Sequence, residues 1–181
     1  MDDKRRTKIS QFVSLVLRHQ PETAGLTLEP GGWVPVAALL TGAANAGIRF
    51  SAEELREVVR CCDKQRLGFD DTGTKIRANQ GHSAEVELHF TEAEPPAVLY
   101  HGTAERNLGV ITREGILKMA RHHVHLSTDT DTAKRVGGRH GKPVVFAVDA
   151  AAMRAAGHTF FRSANGVWLV EHVPPQYLWV L

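Results

Sequence analysis

Two short motifs carry the residue types from which a reaction centre is built. Tyr100-His101-Gly102-Thr103 and His123-Val124-His125-Leu126-Ser127 each combine an imidazole with a hydroxyl beside a short apolar run. We expect a small polar loop to close each run, Ala97–Tyr100 and Val124–Leu126, so that imidazole and hydroxyl sit where strands end. That is the usual place for a ligand in a mixed sheet. A sheet core favours Val, Ile and Phe at such positions, and histidine is only intermediate in burial. One such histidine would read as a hydrogen-bonded framework residue. The two motifs together predict a site.

Other chemistry is weighed in the same way. Ten histidines invite a metal, and His122, His123 and His125 are close in sequence. Yet no HExxH pattern occurs, and the two cysteines, Cys61-Cys62, are adjacent rather than at ligand spacing. No metal site is expected. The stretch Val136–Pro143 is rich in glycine and positive charge but lacks the GK[ST] of a phosphate-binding loop. It reads as a flexible turn, or as a loop whose backbone approaches a pyrophosphate while Arg139 supplies charge. Arg18, Arg66 and Arg121 each stand beside polar or histidine neighbours at the end of an element. Arginine holds phosphate with two parallel N–H donors and keeps its proton at neutral pH. Singly, Arg18 reads as a helix-terminal cation, Arg66 as a solvated strand residue and Arg121 as a loop charge.

The elements that must position these residues fall into two groups. Ile9, Phe12, Val13, Val16 and Leu17 form one stripe of an amphipathic helix that Pro21 stops. A second helix is expected over Pro35–Asn45. A third begins at the capping box Ser51-Ala52-Glu53-Glu54, with Leu55, Val58, Val59 and Cys62 as its apolar face. A hairpin follows, Gln65–Asp70 and Thr74–Ala78 about the turn Asp71-Thr72-Gly73. Three helices and a hairpin outline a winged-helix module, a fold that often binds nucleic acid but does not by itself establish function. Residues 84–97, with alternating glutamates and Pro95-Pro96, read as a linker, with an edge strand open at Val86–Phe90. Beyond it, apolar runs at Val98–Tyr100, Val124–Leu126, Val144–Val148, Val167–Val170 and Tyr177–Leu181 alternate with helical pieces at Glu105–Arg113, Asp131–Val136 and Ala150–Ala156. The expected fold class is α+β, with lobes over 1–83 and 98–181.

Composition narrows the function classes. The chain has 181 residues, is 43% apolar and carries a net charge of +2. Residues 1–80 hold 12 basic and 10 acidic side chains; the remainder holds 10 of each. No basic tail exists to bind nucleic acid non-specifically, so an anion must be held by a few placed arginines. No apolar run approaches about 20 residues, and the N-terminus has no signal-peptide core. With reduced, adjacent cysteines, a cytoplasmic protein is expected.

Six ordered motifs spanning nearly the whole chain resemble the RNA (tRNA) 2′-phosphotransferases. They are Ser14-Leu15-Val16-Leu17-Arg18-His19, Asp63-Lys64-Gln65-Arg66, 76–83 (Ile76 to Ser83), 99–103, 119–127 and Ser163-Ala164-Asn165-Gly166-Val167-Trp168-Leu169. The resemblance implies an N-terminal winged-helix lobe and a C-terminal lobe of the ADP-ribosyltransferase fold. It implies that the internal 2′-phosphate of an RNA, tRNA being one candidate, attacks the nicotinamide-ribose carbon of NAD and expels nicotinamide. The resulting RNA 2′-phospho-ADP-ribose is resolved by the ribose 2″-hydroxyl to 2′-OH RNA and ADP-ribose 1″,2″-cyclic phosphate. By motif position, Arg18, His19, Arg66 and Arg121 match the family's essential quartet, and Lys64 matches a residue tied to the second step. His101, Gly102, Thr103, His125 and Ser127 match its NAD cleft. Arg139, Gly141, Ser163, Asn165 and Val167 are assigned to the cofactor as well. NAD is consumed as a co-substrate, no metal or membrane is expected, and the protein is expected to be a monomer.

The residue types agree with that chemistry. Phosphate is already nucleophilic near neutral pH, so the first step needs alignment of two anions more than a base. His19 is the one quartet member able to pass a proton readily. Many ADP-ribosyltransferases place a glutamate in the third cleft motif; here the stretch offers Val167, which fits an acceptor that arrives ionised. Leu67 follows Arg66 where relatives often carry an aromatic. Two other readings compete: an ADP-ribosyltransferase acting on terminal nucleic-acid phosphates, and a winged-helix regulator that senses NAD. Against the regulator, the third helix mixes Arg56, Arg60 and Lys64 with Glu53, Glu54, Glu57 and Asp63.

Overall fold

A computed structural model describes residues 1–62, 65–84 and 90–181. The chain divides into two units, Met1–His89 and Phe90–Leu181. Each mixes helix and sheet, in keeping with an α+β class.

In the first unit, α1 (Asp3–Arg18) starts where the Asp2 carboxylate accepts from Arg5 N (2.7 Å). It buries Ile9, Phe12, Val13, Val16 and Leu17, the stripe read from the sequence. After Arg18 the chain leaves the helix, and Pro21 opens a short 3-10 turn over Pro21–Ala24. Strand β1 (Val34–Pro35) leads directly into α2 (Val36–Asn45). Helix α3 (Ala52–Arg60) begins with the full capping box: Ser51 Oγ accepts from Glu54 N, and Glu54 accepts from Ser51 N. Strands β2 (Leu67–Phe69) and β3 (Lys75–Ala78) form the expected hairpin, whose turn is tied by Asp70 accepting from Lys75 N (2.8 Å). The sheet has three strands in the order β1-β3-β2. The pairing of β1 with β3 (Val34 opposite Ile76) escaped the sequence reading, because a two-residue strand has no period to detect. Leu67 is 3% exposed and packs in the core of this unit.

The second unit comprises β4 (Thr91–Glu92), β5 (Val98–Ala104), α4 (Leu108–Glu114), β6 (Ile116–Leu117), β7 (Val124–Leu126), α5 (Thr130–Gly137), β8 (Pro143–Asp149), α6 (Ala150–Ala155), β9 (Phe160–Arg162), β10 (Trp168–Val170), β11 (His172–Val173) and β12 (Leu178–Val180). One sheet runs β12-β8-β5, a second β4-β9-β10-β7, and β6 pairs with β11. A bridge between Tyr100 and Ser127 stitches the first two sheets together. Their core includes Leu99, Leu126, Val148, Met153 and Phe160.

One expectation changes here. His101, Gly102 and Thr103 are not in a loop after Tyr100; β5 continues through them and pairs with β8 as far as Ala104 opposite Pro143. Gly102 explains why the strand continues. A Cβ there would overlap the carbonyl of Ala133, so only glycine lets α5 lie against β5. The edge strand considered at Val86–Phe90 lies outside the described residues except for Phe90, which is not in a strand; pairing begins at Thr91, opposite Arg162. Among the described residues no helix is long and apolar enough to cross a membrane.

Candidate active site

In the first unit, segment 79–84 gathers three of the sequence-predicted residues. The Arg18 carbonyl, left over at the end of α1, accepts from Ser83 N (2.8 Å) and Ala84 N (3.0 Å). The Arg18 Nε donates a long bond to the Gly81 carbonyl (3.4 Å). His19 Nδ1 lies 2.8 Å from Ser83 Oγ. At the start of the same segment, Asn79 N donates to the Arg66 carbonyl (2.9 Å), and Asn79 Nδ2 to the Gln65 carbonyl (2.6 Å). One stretch of chain thus fixes the backbone at Arg18 and Arg66, and its Gly81 carbonyl also meets the Arg18 side chain. Gly81 makes this approach feasible: its φ is +84°, and a Cβ would press on the Arg18 guanidinium. Ser83 ends the 76–83 motif, and its tie to His19 is invisible without the fold. Lys64 lies outside the described residues.

In the second unit, β5 and β7 bring the two His-hydroxyl motifs side by side. Tyr100 N donates to the Ser127 carbonyl and Ser127 N to the Tyr100 carbonyl, both at 2.8 Å. His101 Nδ1 lies 3.1 Å from the His125 carbonyl. A carbonyl only accepts, so Nδ1 carries the proton and Nε2 of the neutral ring is an acceptor. Burial is the main cause that pushes the His101 pKa below 6.5; the Arg121 charge adds to it and the bond to His125 opposes it. The Arg121 guanidinium reaches His125 Nδ1 at 3.4 Å.

A cavity of about 530 Å³ opens on this face, lined by His101, Thr103, Asn107, Ile111, Arg121 and His125 among others. Asn107 Nδ2 donates to Thr103 Oγ1 (2.9 Å), one helical turn away in sequence. Asn107 and Ile111 were missed by the sequence reading, since neither type signals a site alone. Val110, Leu117 and Met119 are exposed on the cavity's wall, Met119 at 82%. Gly102, in β5, and Ser127, just past β7, are not among its lining residues. Arg139, Gly141, Ser163, Asn165 and Val167 are not among its lining residues. Arg139 is exposed in the 3-10 turn Gly138–His140, and Gly141 has φ +139°. Ser163 is 4% exposed, with its hydroxyl inside a turn: Oγ accepts from Val167 N (3.0 Å) and lies 2.7 Å from Asn165 Oδ1. No group of three or more His, Cys, Asp or Glu side chains placed to hold a metal occurs among the described residues.

Comparison with known proteins gives this arrangement a context. The family model "RNA 2'-phosphotransferase, Tpt1 / KptA family" matches residues 4–172. A protein of Trichormus variabilis, named probable RNA 2'-phosphotransferase, is 56% identical over 178 residues, 98% of each chain. Proteins of the same name from Nostoc punctiforme and Pseudomonas syringae pv. tomato are 54% and 50% identical, covering 98% of this chain and 98% and 96% of their own. The match runs through both units and includes every residue of the six motifs. The chain belongs to the RNA 2'-phosphotransferase (Tpt1/KptA) family.

Proposed function

We propose that this enzyme is an NAD-dependent RNA 2′-phosphotransferase that moves an internal 2′-phosphate from RNA to NAD. The observation that carries the reading is the Tyr100–Ser127 pairing, which sets His101, Thr103, Arg121 and His125 around one cavity. We assign that cavity to part of the dinucleotide. Its exposed apolar wall suits a nucleobase, and the His101 Nε2 acceptor suits a ribose hydroxyl. Arg121 supplies charge beside it. Gly102 and Ser127 act through the backbone that shapes the cleft. Arg139, Gly141, Ser163, Asn165 and Val167 belong to loops we assign to the remainder of the dinucleotide. Ser163 acts there by shaping its turn.

Arg18, His19 and Arg66 are assigned to the RNA phosphate. In the first step the phosphate is the nucleophile, nicotinamide leaves, and charge must be balanced rather than a proton removed. In the second, the ribose 2″-hydroxyl attacks phosphorus and the RNA 2′-oxygen leaves; Lys64 and Arg66 oppose the charge that gathers on the phosphoryl oxygens, and His19 carries the proton from the 2″-hydroxyl to the departing 2′-oxygen. The first unit, three helices on a β1-β3-β2 sheet, is read as a winged-helix lobe, and the second as an ADP-ribosyltransferase-like lobe.

The test is incubation of the protein with a 2′-phosphorylated oligonucleotide, with and without NAD and in excess chelator, followed by mass analysis. NAD-dependent loss of the phosphate with formation of a cyclic phosphate of ADP-ribose is expected, unaffected by the chelator. Phosphate loss without NAD would overturn the reading. Lys64→Ala and Arg66→Ala should release nicotinamide yet accumulate RNA bearing 2′-phospho-ADP-ribose in a single turnover. Equal slowing of both products, with no intermediate, would remove these residues from the second step.

A further inference from the structure

Helix α1 carries a polar face that the core does not use and that the assignments above leave without a role. Arg6, Thr7, Ser10 and Gln11 line a cavity of about 350 Å³ together with Arg66 and the adjacent Cys61 and Cys62. Among the described residues the lining offers two guanidinium groups, two hydroxyls and an amide, and no carboxylate. A cavity so rich in donors and cationic charge favours an anion. Arg66 forms no side-chain hydrogen bond or ion pair among the described residues. Among the described residues the Arg6 side chain is held by Asp3 (2.6 Å), whose side chain is 89% exposed; such an i,i+3 surface pair is readily exchanged for a better anion. At 100° per residue, Thr7, Gln11 and Arg18 lie within about 20° of one line along α1, so the polar face continues from this cavity to Arg18.

The chemistry of the substrate says what the second guanidinium is for. An internal 2′-phosphate sits on the carbon next to the one that bears the 3′-phosphodiester. Every internal substrate therefore presents two anions on neighbouring carbons, whereas a terminal 2′-phosphate beside a free 3′-hydroxyl presents one. An arginine that meets the first anion leaves the second to be neutralised or to be desolvated at a cost. We infer that the Arg6 side of this cavity, with Thr7 and Ser10, is the subsite for the 3′-phosphodiester adjoining the 2′-phosphate, and that Arg6 selects internal over terminal 2′-phosphates. The inference rests on the assignment of Arg66 to the RNA phosphate. Arg6 is a specificity residue: it holds the strand and does not touch the bonds that change.

Two oligonucleotides of one sequence test it with the full-length protein and saturating NAD. One carries the 2′-phosphate internally; the other carries it on the 3′-terminal nucleotide with a free 3′-hydroxyl. The wild type should prefer the internal substrate in kcat/KM. Arg6→Gln should raise KM for the internal substrate by about tenfold or more, the size of a lost charge-assisted contact, with kcat nearly unchanged. It should leave the terminal substrate, which has no 3′-phosphodiester to lose, within about twofold; that rate doubles as the control for folding. Arg6→Lys should recover only part of the preference, because the fork is lost. The subsite is overturned if Arg6→Gln changes both substrates alike or neither, or if the wild type shows no preference. If the wild type consumes neither oligonucleotide with NAD, the functional reading fails and the subsite falls with it. Wild-type turnover with an indifferent Arg6→Gln removes the subsite alone.

Discussion

The two units hold their reactive side chains in opposite ways. The second unit fixes them through the backbone of strands: His101 sits inside β5, its ring tied to a neighbouring strand's carbonyl, and Ser127 is paired through its own main chain. The first unit fixes the backbone of Arg18 and Arg66 and carries their long side chains at the end of a helix and the start of a hairpin, that of Arg18 also bonded through Nε to the Gly81 carbonyl. A strand-borne site is pre-shaped, with little freedom left to lose on binding. A long arginine side chain such as that of Arg66, without a side-chain bond among the described residues, keeps more freedom and can adapt, which suits an anion on a flexible strand of RNA. The contrast matches the assignment of NAD to the second unit and the RNA phosphate to the first.

The sharpest way to break that contrast is to place the same methyl group in each unit. Gly102→Ala drives a Cβ into the Ala133 carbonyl, where neither α5 nor β5 can yield without losing its pairing. We expect a loss of about 3 kcal/mol, read as a lower urea midpoint. Gly81→Ala meets the movable end of the Arg18 side chain at a φ of +84°. There the stability loss should be about 1 kcal/mol, but turnover should fall because the Arg18 guanidinium is displaced. Equal stability losses in the two variants would mean that the units are not built as differently as their hydrogen bonds indicate.

The arginines come next in size. Arg18→Ala and Arg121→Ala should each lower kcat/KM by about tenfold to hundredfold, equivalent to about 1.5–3 kcal/mol for a charge-assisted contact. Lysine should restore little at Arg18, where a forked donor is wanted. The loss at Arg121 should also appear in the KM for NAD, because it lines the second unit's cavity. An Arg121→Ala enzyme with normal NAD dependence would detach that arginine from the dinucleotide.

How much of this could be read beforehand differs between the units for the same physical reason. The helices of the first unit announce themselves, because Ile9 to Leu17 repeat at helical spacing and Ser51-Glu54 is a local cap. In the second unit, β4, β6, β9 and β11 are two or three residues long and carry no period. The motif at His101 was legible as chemistry but misplaced as structure: a glycine between histidine and threonine looks like a turn, and only the packing of α5 on β5 shows why it is a strand. Asn107 and Ser83 could not have been singled out, since their roles lie in partners, Thr103 and His19, that the fold supplies.

Acid should find the two units at different pH values. In the second, burial holds His101 below its ordinary pKa of 6.5, and burial does the same for His123. The unfolded chain then binds protons more readily than the folded one, so this stability is full above about 6.5 and declines as pH falls below it. Urea midpoints at pH 7.5 and 5.5 should separate by less in His101→Asn than in the wild type. An unchanged separation would place the acid sensitivity on another group.

In the first unit the corresponding group is Glu54, and the effect is the smallest of the set. Its carboxylate pairs with Arg5 and accepts from Ser51 N (2.9 Å), and these bonds, Arg5's first, hold its pKa at about 2 against an ordinary 4.5. The folded pKa is depressed, so the contribution is complete above about 4.5 and is lost as pH falls toward 2. The pair is partly exposed, which limits its worth, but Glu54 also closes the capping box of α3. Glu54→Gln keeps the shape and one acceptor while removing the charge, and it should cost about 1 kcal/mol at pH 7. Near pH 2 the wild-type carboxyl is itself becoming neutral, so the difference between the two proteins should shrink there. It should stay constant between pH 5.5 and 7.5, the window in which His101 acts. A Glu54→Gln penalty that changes across that upper window, or persists undiminished at pH 2, would show that packing rather than charge holds this end of α3.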